Sequence, residues 1–228
     1  MRGAMMKTAI AKLTRLAALV LVLAPLGACA LADVASGPAP SLYVLTAPTP
    51  ALPGTAMAAN TQLSVREFQA PSAIDTGRIV FQPSPNEIKY YAGARWSDRA
   101  PRMIASLLVE TLTNTGRFPA ILGPETQART DLALTGDIRA FSAFRDGAGL
   151  GEGATKVRVA FFVRLVRARG GVVLAGREFT AEAASASGRM DDIVAAYNAA
   201  LDTALSDITA WTLEQSLAAM ADEARLAS

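Results

Sequence analysis

Residues 90–118, YYAGARWSDRAPRMIASLLVETLTNTGRF, decide how the chain is read. The segment opens as the end of a strand, turns, forms one amphipathic helix and starts a second strand. Ser97 or Asp98 is placed to cap that helix, since a short oxygen side chain accepts from the free N–H groups of a first turn. Pro101 falls inside that turn, where its missing N–H costs little. Ile104, Leu107, Leu108 and Leu112 recur at helical spacing and give one apolar stripe. Gly116, after Asn114 and Thr115, supplies the stop, because glycine enters the left-handed conformation without penalty. Phe118 and Ile121 resume an extended, buried pattern.

Three large aromatics, Tyr90, Tyr91 and Trp96, crowd the start of this segment in a chain that is only 6% aromatic. Arg95, Arg99 and Arg102 lie among them. Two readings stand. In one, rings and helix start pack on a core with the arginine stems over them. In the other, Tyr90, Tyr91, Arg95, Trp96 and Arg102 form a recognition surface, since Tyr, Trp and Arg are the usual interface anchors.

Outward from the helix the chain reads as strands. Leu63 and Val65 suggest one strand, with Phe68 close behind it. Residues 78–81 and 87–91 suggest two more, joined through Gln82-Pro83-Ser84-Pro85-Asn86 as a hairpin. Residues 131–144 alternate through Leu132, Leu134, Ile138 and Ala140 until Phe141 and Phe144 break the phase, which marks a bulge. Val157, Val159, Phe161, Val163 and Leu165 fill one face of the next strand without exception. Gly170-Gly171 turns the chain back into residues 172–183. Asp191 and Asp192 open a last helix, where carboxylates suit the positive end of the helix dipole. Its stripe runs through Ile193, Tyr197, Leu201, Ala204, Ile208, Trp211 and Leu217.

The expected fold is α+β: a single domain over residues 60–222, with a largely antiparallel sheet carrying two long helices on one face. Residues 223–228 read as a tail. Ahead of the domain, residues 29–59 are rich in Pro and Ala and read as a tether. Within it residues 42–46 (Leu42-Tyr43-Val44-Leu45 and Thr46) suggest a short edge strand.

Residues 1–28 read as an export signal. Arg2, Lys7, Lys12 and Arg15 precede a run, Leu16 to Leu23, that is almost wholly apolar and is broken by Pro25. The run is shorter than the ~20 residues a membrane-spanning helix needs. Leu26-Gly27-Ala28-Cys29 looks like a bacterial lipobox. On that resemblance Cys29 is acylated and begins the mature protein, and two or more acyl chains make a stable anchor. Ala30 follows, where an Asp would resemble an inner-membrane retention signal, so the outer membrane is expected.

Composition excludes several chemistries. The sequence has no histidine and Cys29 is its one cysteine. Histidine triads, histidine metal sites and internal disulfides are therefore out. The full chain carries 22 basic and 20 acidic residues; without the four basic residues of the signal the balance is 18 against 20, or −2. That gives no basic footprint for nucleic acid. The glycine cluster of residues 147–153 lacks the Lys-Ser/Thr of a P-loop and reads as a hairpin loop, so any ATPase is a separate subunit. Glu67 with Asp75, or Asp191 with Asp192, are carboxylate pairs of the kind a glycosidase uses. Nothing in the sequence sets them across a cleft. A non-catalytic protein without cofactor, beyond a covalent acyl lipid on Cys29, is expected.

A Tyr-Tyr pair, a Trp a few residues on, Pro-Arg at a helix start and a Thr-Gly-x-Phe helix end together resemble the ABC-type transport auxiliary lipoproteins. The matching positions are Tyr90, Tyr91, Trp96, Pro101, Arg102, Leu108, Leu112, Gly116 and Phe118, and the likeness extends to Leu42-Tyr43-Val44-Leu45 and the closing helix with its late Trp. Such lipoproteins accompany envelope lipid transporters with mammalian-cell-entry (MCE) domains. The resemblance implies an accessory subunit at the periplasmic face of the outer membrane. Its partners would be the membrane through the anchor, an MCE-domain protein with its ABC permease and ATPase, and lipid. Homo-oligomerisation is left open. The alternative is a stand-alone structural or lipid-binding envelope lipoprotein without a transporter.

Overall fold

The structure is a computed structural model that describes residues 39–58, 61–126, 128–146 and 154–226. Ten elements follow one another: β1 (Ser41–Tyr43), β2 (Gln62–Val65), β3 (Arg78–Ser84), β4 (Glu87–Trp96), α1 (Ala100–Asn114), β5 (Ala120–Leu122), β6 (Leu132–Asp146), β7 (Ala154–Arg167), β8 (Val172–Ala184) and α2 (Met190–Leu226). Cys29, the export signal and the glycine cluster at 147–153 lie outside the described residues.

The strict alternation of residues 157–165 sets the centre of the sheet. Val157, Val159, Phe161, Val163 and Leu165 are fully buried along β7, which pairs antiparallel with β6 on one side and β8 on the other. Gly170 and Gly171, at φ +88° and +68°, make the tight β7–β8 turn with the positive φ that glycine alone adopts freely. The β6 ladder shifts register between Ile138 and Ala140, which places the expected bulge at Arg139.

The other edge of β6 is shared. β2 lies parallel to its first residues, with Leu63 opposite Leu132 and Val65 opposite Leu134. β3 lies parallel to its far end, with Phe81 opposite Ala143. β5 extends the sheet beyond β2, while β4 and then β1 extend it beyond β3. The eight-stranded sheet is therefore mixed: its long ladders are antiparallel, and the four parallel pairings are short.

α2 packs on β7 and β8; α1 packs on β2 and β5 and touches α2. Ile104, Leu108 and Leu112 of α1 and Leu201, Leu205 and Ile208 of α2 are fully buried in one continuous core. At roughly 25 cal/mol per Å² of apolar surface, these stripes hold the helices on the sheet far more than helix propensity does. α2 runs through Leu226, into the stretch read as a tail.

Two local expectations change. The N-cap of α1 is Arg99, with no side-chain cap, so neither Ser97 nor Asp98 caps the helix. The first helical N–H, of Ala100, donates instead to the Thr76 carbonyl (3.2 Å), and Asp98 Oδ1 accepts from the Arg99 backbone N–H (2.7 Å). The turn is this tight because β4 continues to Trp96, five residues past the pair of tyrosines.

The second change concerns the tether. β1 is shorter than read, and residues 44–58 are strapped to the domain. Leu45 is buried, and the Thr46 N–H donates to Asn198 Oδ1 on α2 (3.0 Å). The Arg117 guanidinium donates to the carbonyls of Ala56 (2.8 Å), Leu52 (3.3 Å) and Gly54, while the Ala58 N–H donates to the Arg117 carbonyl (2.9 Å). A proline-rich strand lacks N–H groups for a ladder, yet its carbonyls still need donors. One planar guanidinium with five N–H groups serves three of them.

Candidate interaction surface

The five residues read as a recognition surface do not share one environment. Trp96 is 2% exposed and belongs to the core. Its indole stands edge-on to Tyr197 (centroids 4.9 Å) and tilted against Phe141 (5.7 Å). It offers no contact face, which corrects its place in that surface: alternation along β4 turns Ala94 and Trp96 inward and Arg95 outward. The indole Nε1 finds no acceptor in this apolar nest. Tyr197 is fully buried below it and donates its hydroxyl to the Val80 carbonyl (3.2 Å). Burial first, and the neighbouring Tyr91 second, push the Tyr197 phenol well above its ordinary range.

Tyr90 and Tyr91 are half-buried. The Tyr90 hydroxyl donates to the Ala73 carbonyl (3.2 Å), and the Arg78 guanidinium lies 3.6 Å above its ring. Tyr91 leans on Phe81 (5.5 Å); burial raises its phenol, and the Arg145 charge partly opposes that. Arg102 is exposed on α1 and pairs with Glu125 (3.0 Å) and with Asp98 (3.5 Å). Arg95 is exposed on β4, in register with Leu42 on one side and Arg78 on the other.

Neither carboxylate pair weighed as catalytic has the required form. Glu67 and Asp75 both turn to Arg99, which pairs with Glu67 (3.2 Å) and donates through Nε to Asp75 (2.8 Å). Both carboxylates are thus engaged by one guanidinium and do not face each other across a cleft. Asp191 accepts from the Tyr43 hydroxyl (3.3 Å), and Asp192 from the Ser187 hydroxyl at the start of α2.

The face of the sheet away from the helices is self-neutralised over the long hairpin. Arg158 pairs with Glu182 (2.5 Å), Arg164 with Asp137 (2.9 Å) and Arg139 with Glu178 (3.8 Å). Arg139 and Arg164 also flank the Phe162 ring at 5.0 and 4.5 Å. A hollow of about 370 Å³ on that side is lined by Arg66, Glu67, Gln69, Thr135, Asp137 and Arg164, too polar a wall for an acyl chain. No described helix is long and apolar enough to cross a membrane.

Sequence reasoning missed the surface at the β1 edge. Leu42 and Val44 are 66% and 65% exposed. The available signal was the alternation itself: Tyr43 and Leu45 turn inward, so their neighbours must turn out. The strap made by Arg117 had no periodic signature at all.

Comparisons place this architecture. The sequence model of the ABC-type transport auxiliary lipoprotein component matches residues 43–209. A crystal structure of a Xanthomonas campestris protein of the DUF330 family superposes with a TM-score of 0.67 and 26% identity, over 79% of this chain and 99% of that one. A second solved structure, of an uncharacterised protein, has a TM-score of 0.56 at 16% identity, over 75% and 97% of the two chains, and shows the fold alone. An uncharacterised protein of Bradyrhizobium diazoefficiens is 26% identical over 159 residues, or 68% of this chain. The match spans only 40% of that relative's length.

Proposed function

Because the chain belongs to the family of ABC-type transport auxiliary lipoprotein components, we propose that it is the lipid-anchored, non-catalytic accessory subunit of an MCE-associated lipid transport system. In this reading Cys29 carries the acyl anchor at the periplasmic face of the outer membrane, and the domain works by contact with the periplasmic MCE-domain subunit. The observation that carries it is the family match across the folded domain, which begins 14 residues after the Leu-Gly-Ala-Cys sequence. The exposed guanidinium of Arg102 and the half-exposed rings of Tyr90 and Tyr91 supply contacts of the kind that dock onto carboxylates and desolvated surfaces. In this reading the chain's own contribution is binding and position.

Affinity capture from detergent-solubilised envelopes tests it. The intact chain should bring down an MCE-domain protein with its permease and ATPase, and Arg102→Glu should weaken that capture. Cys29→Ala should block acylation and leave an unprocessed or soluble product. Capture of none of these components, from a chain that is acylated, would favour the stand-alone envelope lipoprotein instead.

A further inference from the structure

We propose that the β1–β4–β3 edge of the domain, through Leu42, Val44, Arg78 and Arg95, docks on the phospholipid leaflet that holds the anchor. This rests on the reading of Cys29 as the acylated residue.

The first observation is a row of side chains on one face. Leu42 is in register with Arg95, and Arg95 with Arg78, so all three project from the same side of the sheet. Val44 continues that side one step further, because Tyr43 and Leu45 between them pack inward. Leu42 and Val44 expose more of themselves than any other large apolar side chain among the described residues. Two such residues, one on the edge strand β1 and one just past its end, have no fold-level purpose, as neither packs on the core.

The second observation is charge. Arg78 and Arg95 stand directly opposite each other on neighbouring strands, an arrangement that repels. Neither pairs with a carboxylate among the described residues; Arg78 lies over the Tyr90 ring instead. The long hairpin does the opposite and gives Arg139, Arg158 and Arg164 a carboxylate each. An anionic surface resolves the repulsion at this edge, with guanidinium groups on lipid phosphates and the two aliphatic side chains at the headgroup boundary. A second copy brought edge to edge would bring two more guanidiniums to the same place.

The third observation is chain length. Eleven residues lie between Cys29 and Ser41, a span of about 40 Å at full extension. The strap made by Arg117 fixes residues 44–58, so no slack lies beyond β1. The β1 edge is therefore where the anchor pulls first.

The test uses the full chain, processed and acylated, in vesicles of phosphatidylethanolamine and phosphatidylglycerol. With Cys29 blocked by lipid, Val44→Cys supplies a single free thiol for an environment-sensitive fluorophore. Val173→Cys, exposed at the β7–β8 turn, is the control. The Val44 probe should shift to the blue and be quenched by lipids brominated in their acyl chains, while the Val173 probe is not. Arg78→Glu with Arg95→Glu should abolish the quenching with the thermal midpoint and the acyl group unchanged. Equal, absent quenching at both probes in a chain that mass spectrometry shows to be acylated would overturn the docking and leave the anchor standing. A Val44 probe that responds only to protein concentration, or only to an added protein partner, would overturn it in favour of that occupant. A chain with no acyl group on Cys29 overturns the anchor and this docking together.

Discussion

Trp96 and Arg95 are neighbours in sequence and opposites in the fold, and substituting each separates packing from recognition. Trp96→Ala removes an indole that touches Tyr197 and Phe141 in a nest closed to solvent. Truncating a buried Trp costs about 3–5 kcal/mol, roughly a fifth or more of the ~5–15 kcal/mol that holds a domain together. For a domain of this size that lowers Tm by roughly 6–20 °C. Trp96→Phe should cost much less, because it keeps a ring in place and removes an N–H that has no acceptor. Arg95→Glu touches nothing in the core and should stay within about 0.5 kcal/mol of the parent, under about 2 °C. The assay is thermal unfolding followed by far-ultraviolet circular dichroism, run beside partner capture for all three variants. Trp96→Ala that melts with the parent but loses partner capture would refute the burial argument and return Trp96 to the surface.

Leu108→Asp and Ile208→Asp each bury an unpaired carboxylate at a fully buried site and should leave no cooperative melt, since that burial costs several kcal/mol. Alkaline pH should weaken the fold through Tyr197. Its phenol is raised in the folded state, so the stability it contributes is complete below about pH 10, where the unfolded phenol ionises, and falls as pH climbs above that. Urea unfolding between pH 8 and 11 should show this limb, made shallower by Tyr197→Phe. Arg117→Ala removes the donors to Leu52, Gly54 and Ala56 and should open residues 46–58 to limited proteolysis while the domain keeps its melting cooperativity; an unchanged cleavage pattern would show that the strap holds without it.

Where one face of an element is buried, the sequence was legible. Residues 157–165 alternate without a break because both long neighbours of β7 force them to, and the stripes of α1 and α2 follow from the same cause. The short parallel pairings were invisible. Three-residue contacts such as Leu63–Val65 against Leu132–Leu134 leave no periodic signal, and it is the rest of the sheet that selects them. The Tyr90–Trp96 segment was legible as important and ambiguous in role, since an aromatic at a strand end serves a core and an interface equally well. Only the phase of β4 decides, and β4 was read as ending at Tyr91. The helix cap failed for a related reason: a side-chain cap is needed only where no carbonyl is near, and Thr76 is near.

The strap changes what an anchored domain of this kind can do. With residues 29–59 free, a lipid on Cys29 would let the domain range about 100 Å from its membrane at full extension. With residues 44–58 fixed by Arg117, Asn198 and the burial of Leu45, only the chain between Cys29 and β1 sets the reach, and it spans at most about 40 Å. A subunit on so short a lead cannot itself bridge two membranes. In the proposed transporter the span must then be made by the MCE-domain partner, and the lipoprotein becomes the fixed receiving end, held against its leaflet. The surfaces left for that partner are those turned away from the β1 edge, among them Arg102 on α1 with its neighbour Glu125. Arg95 faces the leaflet in that arrangement, so charge reversal there should alter membrane contact more than partner capture, and reversal at Arg102 the converse.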